Sequence, residues 1–112
     1  MPTTTDLAVR IMKRAGILDP AENPTAAEAA DVVAIMESKY DAMKELGHIF
    51  WTLTEIPTMY QDAFISMVAG TVAAEFRTLT PEIAAMAQTG ERTIYALNER
   101  KQDPRESPVV DY

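Results

Sequence analysis

A chain of 112 residues with a formal net charge of -7 is long enough to form one domain, burying roughly two-thirds of its unfolded surface. Apolar residues make up 47% and charged residues 24%, the composition of a folded globular protein and not of a disordered one. The lack of cysteine excludes disulfides, thiolate metal sites and Cys nucleophiles, and the acidic excess argues against a protein whose main task is gripping phosphates.

The opening MPTTTDLAVR has no apolar stretch of the kind found in a secretory signal. The first predicted helix spans Thr5 to Ala15, capped by Thr4 or Thr5, with Asp6 at its positive end. Leu7, Ala8, Ile11, Met12 and Ala15 share one stripe, and Lys13 and Arg14 suit the last turn. Gly16 supplies the left-handed residue that ends the helix, and Ile17 and Leu18 follow as its apolar contact.

Pro20 and Pro24 then force the residues before them into extended backbone. Thr25 with Glu28 is a capping-box pattern that starts the second helix. Gly16, Pro20, Pro24, Thr25 and Glu28 therefore define a stiff corner. The second helix runs from Ala26 to Leu46, where Gly47 ends it. Ala29, Val33, Met36, Tyr40 and Met43 recur at alternating steps of four and three residues. Val32, Ile35, Ala42 and Leu46 widen that stripe, and the other side is mostly acidic.

His48 to Pro57 is β-branched and aromatic, which predicts an extended arm or a short strand, too short to build a sheet alone. The third helix is expected from Thr58 to Phe76, with Tyr60, Phe64, Met67, Val68, Thr71 and Val72 on its buried side. Ala63, Ala69, Gly70, Ala73 and Ala74 permit close helix approach. The run from Ala63 to Ala74 is about a dozen residues, and a bilayer crossing needs roughly 20, so a core helix is expected. Thr80-Pro81-Glu82 starts a fourth helix reaching Arg100, with Ile83, Met86, Ala87, Gly90, Ile94 and Leu97 on one stripe.

These elements predict an all-α fold: a four-helix antiparallel bundle-like domain over residues 1–101, with the arm between helices two and three. Residues 102–112 are expected as an extended C-terminal tail.

Signs of chemistry are sparse. His48 is the only histidine, and its place after Gly47 suits a loop. Glu37 and Asp41 lie one helical turn apart, which reads as a solvated face. Glu55, among apolar neighbours, is the residue on which a small helical hydrolase would depend. The four glycines are dispersed and make no phosphate loop. A helix-turn-helix would have to read bases with Thr25 to Asp31, which contains two acids and no Arg, Lys, Asn or Gln. A small helical DNA-binding or regulatory module is nevertheless the alternative reading. No catalytic, cofactor-binding or metal-binding residue is expected. The seven methionines fit core filling. Trp51 is either tucked onto the domain's own core or offered to a partner. The tail is either unstructured or docked through its β-branched and aromatic end.

Several stretches together resemble the tailed-bacteriophage head–tail connector family, also termed tail accessory factors or head-completion adaptors. They are Leu7, Ile11 and Arg14 to Leu18 (RAGIL), Glu22 to Asp31 (ENPTAAEAAD), and a long helix closing at Leu46-Gly47. Ala63 to Phe76 and Thr80 to Ala87 (TPEIAAMA) add to the likeness. The resemblance spans most of residues 5–100. It implies a non-enzymatic structural virion protein that forms a ring beneath the portal, usually of about twelve subunits. The ring extends the DNA channel and gives the tail its attachment surface. Implied partners are the portal protein, other copies of the chain, and a downstream tail or stopper protein. Sequence-specific nucleic acid, membrane and cofactor are not among them. The implied location is the head–tail junction of a virion, after synthesis in the host bacterial cytoplasm. By position, Ile49, Phe50, Trp51 and Leu53 in the arm and Pro108, Val109, Val110, Asp111 and Tyr112 in the tail are the candidate interface with the portal or a neighbouring subunit.

Overall fold

A computed structural model describes residues 3–19 and 21–102, with side chains through Glu99. Four helices follow in chain order: α1 (Thr4–Arg14), α2 (Ala26–Glu45), α3 (Thr58–Glu75) and α4 (Pro81–Gln102). No strand occurs among the described residues, and the fold is the expected all-α, bundle-like arrangement. Pro20 and residues 103–112, including the expected tail contacts Pro108 to Tyr112, lie outside the described residues.

Local sequence chemistry explains where the helices begin. Thr3, not Thr4 or Thr5, caps α1, because Asp6 three positions on can return a bond to it. The Thr3 hydroxyl accepts from the Asp6 N–H at 3.1 Å, and the Asp6 carboxylate accepts from the Thr3 N–H at 3.1 Å. Thr25 and Glu28 form the same box at the start of α2, at 2.9 and 3.1 Å. The Thr80 hydroxyl accepts from the Ile83 N–H at 3.1 Å, with Pro81 as the first helical residue of α4. Only α3 starts without a side-chain cap, from Pro57.

The ends of α1, α2 and α3 share one solution. Gly16 and Gly47 adopt φ of 79° and 83°. In each case the two residues after the cap fold back on the last turn. Ile17 N–H donates to the Met12 carbonyl at 3.0 Å, and His48 N–H to the Met43 carbonyl at 2.9 Å. After α3 the left-handed position is held by Arg77, with φ of 61°, and the Thr78 N–H reaches the Ala73 carbonyl at 2.8 Å. The Thr78 hydroxyl then donates to the Ala15 carbonyl at 2.8 Å, tying the end of α3 to the end of α1.

Helix α3 is the centre of the domain and packs against all three others. Its buried positions include Ala63 through Ala69 without interruption, as expected of a helix that is apolar all round. Against α4 the approach is set by small residues. A Cβ placed on Gly90 would stand 2.5 Å from the Ala63 carbonyl oxygen, and one on Gly70 would stand 2.4 Å from the Ala87 Cβ. Pairing of Gly70 with Ala87 and of Ala63 with Gly90 makes the two helices antiparallel. Among the described side chains of α4, Gly90 and Ile94 are buried, and Ile83, Met86, Tyr95 and Leu97 are half-buried along its flanks.

Two expectations for α2 fail. Its buried residues are Val32, Met36, Tyr40 and Met43, a narrow stripe. Ala42 and Leu46, expected on that stripe, are exposed, Leu46 at 68%. Leu46 is the C-cap residue, so the chain is already turning away from the helix axis where its side chain emerges.

Candidate functional site

Residues 46–57 join α2 to α3 and cross the domain as a strap. As the expected arm between the two helices, they carry no helix or strand, with a turn in which the Glu55 N–H donates to the Thr52 carbonyl at 3.1 Å. An irregular segment leaves backbone carbonyls unpaired unless side chains take them. Here a side chain from each of three helices does so. The Tyr40 hydroxyl of α2 donates to the Trp51 carbonyl. The Gln61 amide of α3 donates to the Ile56 carbonyl at 3.1 Å. The Asn98 amide of α4 donates to the His48 carbonyl at 2.6 Å, while its own oxygen accepts from the Tyr60 hydroxyl at 2.8 Å.

Aromatic rings fill the space beneath the strap. Trp51 stands edge-on to Phe64 with ring centres 5.3 Å apart, and lies 5.7 Å from Tyr60 and 5.9 Å from Tyr40. Phe50 meets Tyr60 edge to face at 5.6 Å. The His48 ring rests 4.6 Å from Tyr95, whose hydroxyl donates to Glu91 at 2.6 Å. Burial raises the pKa of Tyr60, and the Glu91 hydrogen bond, with burial and the Glu91 charge behind it, raises that of Tyr95. Both phenols are therefore donors at neutral pH. Among the described residues the Trp51 indole nitrogen is the buried side-chain polar atom with no hydrogen-bond partner.

This geometry divides the residues expected at an interface. Ile49 and Trp51 are each only 5% exposed and belong to the core. They are corrected from partner-facing to structural, because the strap turns its apolar side onto α3. Leu53 is half-buried, and Phe50 is 54% exposed. Two further apolar residues, near it in the sequence but outside the expected interface, are also exposed. Leu46 precedes the strap, and Met59, 66% exposed, follows it next to Tyr60. Position was their signal in the sequence, a cap residue for Leu46, which the stripe pattern overrode, and an uncapped first turn for Met59.

The other expected residues fall as follows. Gly16, Pro24, Thr25 and Glu28 all sit in the α1–α2 corner, where the Asp19 N–H also donates to the Glu22 carboxylate at 2.9 Å. Glu55 is exposed, and no hydrogen bond places a reactive partner beside it. Among the described residues no group of three His, Cys, Asp or Glu could hold a metal ion. A cleft of about 340 Å³ between α3 and α4 is lined by Met59, Asp62, Ser66, Met86 and two threonines. Its acid, Asp62, is engaged by Arg14, which donates at 2.7 Å to the carboxylate and at 2.9 Å to the buried Ser66 hydroxyl. The exposed start of α2 carries Glu28 and Asp31, which repel phosphate. No helix of the described residues is long and apolar enough to cross a membrane.

Comparison with protein-family models, with curated proteins and with solved structures returned no match to this chain.

Proposed function

We propose that the chain is a non-enzymatic head–tail connector subunit, one member of a ring that sits beneath a phage portal and presents the surface to which the tail attaches. The observation that carries this reading is the α1–α2 corner. There a left-handed glycine fixes the end of α1 and a capping box fixes the start of α2. A closed ring needs subunits whose wedge angle does not vary, because small angular errors accumulate around the axis. The pinned strap supports the same reading, since it locks the far end of α2 to α3 and α4. Leu46, Phe50 and Met59 are exposed apolar side chains that ring or portal contacts could cover. Individual contacts in such a ring can be weak, because simultaneous engagement multiplies them.

Native mass spectrometry of the full chain, alone and mixed with the portal ring from the same source genome, tests this proposal. The expected result is a portal complex carrying multiple copies of the chain. A strictly monomeric chain at all concentrations that binds no portal would overturn it. Phe50→Ser should weaken the complex without unfolding the subunit, because the side chain is more than half exposed.

A further inference from the structure

Resting on the ring reading, we infer that the groove between α2 and the end of α3 receives α1 of a second copy of this chain, so that copies join head to tail. The groove has a volume of about 430 Å³ and is lined by Asp31, Ala34 and Ile35 of α2 and by Glu75 and Phe76. Ile35 and Phe76 are half-buried and give it an apolar surface. Asp31 and Glu75 are exposed, one from each helix. Neither acid has a side-chain hydrogen bond or an ion pair among the described residues. The nearby cations in the chain, Lys39 and Arg77, do not line the groove.

Helix α1 carries the complementary face. Its stripe of Leu7, Ala8, Ile11 and Met12 is buried, and Arg10 and Lys13 are exposed one helical turn apart. Both are unpaired among the described residues. Arg14, beside Lys13, is committed to Asp62 and Ser66, and Asp6, one turn before Arg10, accepts from the Thr3 N–H. The stems of an Arg and a Lys can lie on Ile35 and Phe76 while their charged ends reach the two acids. Within one chain no ion pair joins Arg10 or Lys13 to Asp31 or Glu75. Charge selects the occupant. Copies with a net charge of -7 repel at a distance, so a contact between them has to set unlike charges against each other. The cation pair of α1 and the acid pair of the groove do so. Face and groove are different surfaces, so the contact is heterologous and repeats from copy to copy, as ring closure requires.

Sedimentation equilibrium of the full chain without portal, over a rising concentration series in low salt, tests the contact. The expected result is association that continues past the dimer and weakens as salt is added. One variant carries Arg10→Glu with Lys13→Glu, the other Asp31→Lys with Glu75→Lys. Each alone should associate about tenfold or more weakly, because every contact then sets like charges together. Their equimolar mixture should recover association, because each face then meets a groove of opposite sign. All four side chains are exposed, so both variants should keep the helical circular dichroism of the parent. A parent chain that stays monomeric, association that stops at the dimer, or a mixture no stronger than its components would each overturn the inference. So would a groove variant that self-associates like the parent but no longer binds portal, which would give the groove to a basic segment of another protein. A monomer that still binds portal in multiple copies would remove this contact and leave the connector proposal standing.

Discussion

Arg77 is the residue whose backbone and side chain disagree most. It occupies the left-handed position that closes α3, where Gly16 and Gly47 do the same work for α1 and α2. A Cβ in that region costs about 1–2 kcal/mol, and glycine gives back part of the difference through its freer unfolded chain. Arg77→Gly should therefore raise stability by about 0.5–1 kcal/mol, read as an upward shift of the urea midpoint at unchanged slope. The side chain is exposed and nothing else is lost. Thr25→Ala has the opposite sign. It removes the acceptor for the Glu28 N–H and half of a capping box, and should cost about 1 kcal/mol. The Arg14–Asp62 pair is short at 2.7 Å, but its acid is largely exposed, so the pair contributes little beyond orienting Arg14 toward Ser66.

Between elements, the contact of α3 with α4 is the most sharply specified. Gly70 faces Ala87 with room for only one methyl group. Gly70→Ala should destabilise by about 1–3 kcal/mol through overpacking. Adding Ala87→Gly should restore most of that loss, because the methyl has merely changed helices, and a double-mutant cycle measures the coupling. Gly90→Ala has no such remedy, since its neighbour is the Ala63 carbonyl oxygen and not a side chain. The strap depends on directed bonds more than on apolar burial. Asn98→Ala strips partners from both the Tyr60 hydroxyl and the His48 carbonyl. A loss of about 1–2 kcal/mol is expected, with Trp51 fluorescence reporting the loosened strap. The unpartnered Trp51 indole has a desolvation cost of about 1–3 kcal/mol, offset by the burial of its ring among Tyr40, Tyr60 and Phe64.

Among the described residues, the phenols of Tyr60 and Tyr95 have displaced pKa values, both raised. A phenol whose folded pKa lies above the free value holds its proton longer in the folded state. Its stabilising contribution is complete below pH about 10 and is lost as pH climbs through the raised folded value. Stability should thus fall on the alkaline side above pH 10, and absorbance titration at 295 nm should show tyrosines ionising late and together with unfolding. Tyr95→Phe should reduce that alkaline slope. Mobility of α1 against α2 is the other global quantity. If residual dipolar couplings showed the two helices pivoting about residues 19–24, the stiff wedge and the ring built on it would both be lost.

Helix limits, the Thr25 and Thr80 caps and the Gly16 and Gly47 ends were legible in the chain itself, because capping boxes and helix-ending glycines act over three to five residues, although the α1 cap lies at Thr3 and not at Thr4 or Thr5. The all-α class followed from the same local signals. Burial was legible only where one face repeats. The stripe of α2 was drawn too wide, Leu46 was placed inward, and the all-round burial of α3 became clear only once three helices were laid against it. Strap geometry was decided by tertiary structure alone. Gln61 and Tyr40 bond carbonyls five and eleven residues away, but Asn98 bonds the His48 carbonyl fifty residues away, and nothing local marks its amide as that partner. In the folded domain Ile49 and Trp51 are buried, and Leu46, Phe50 and Met59 are exposed.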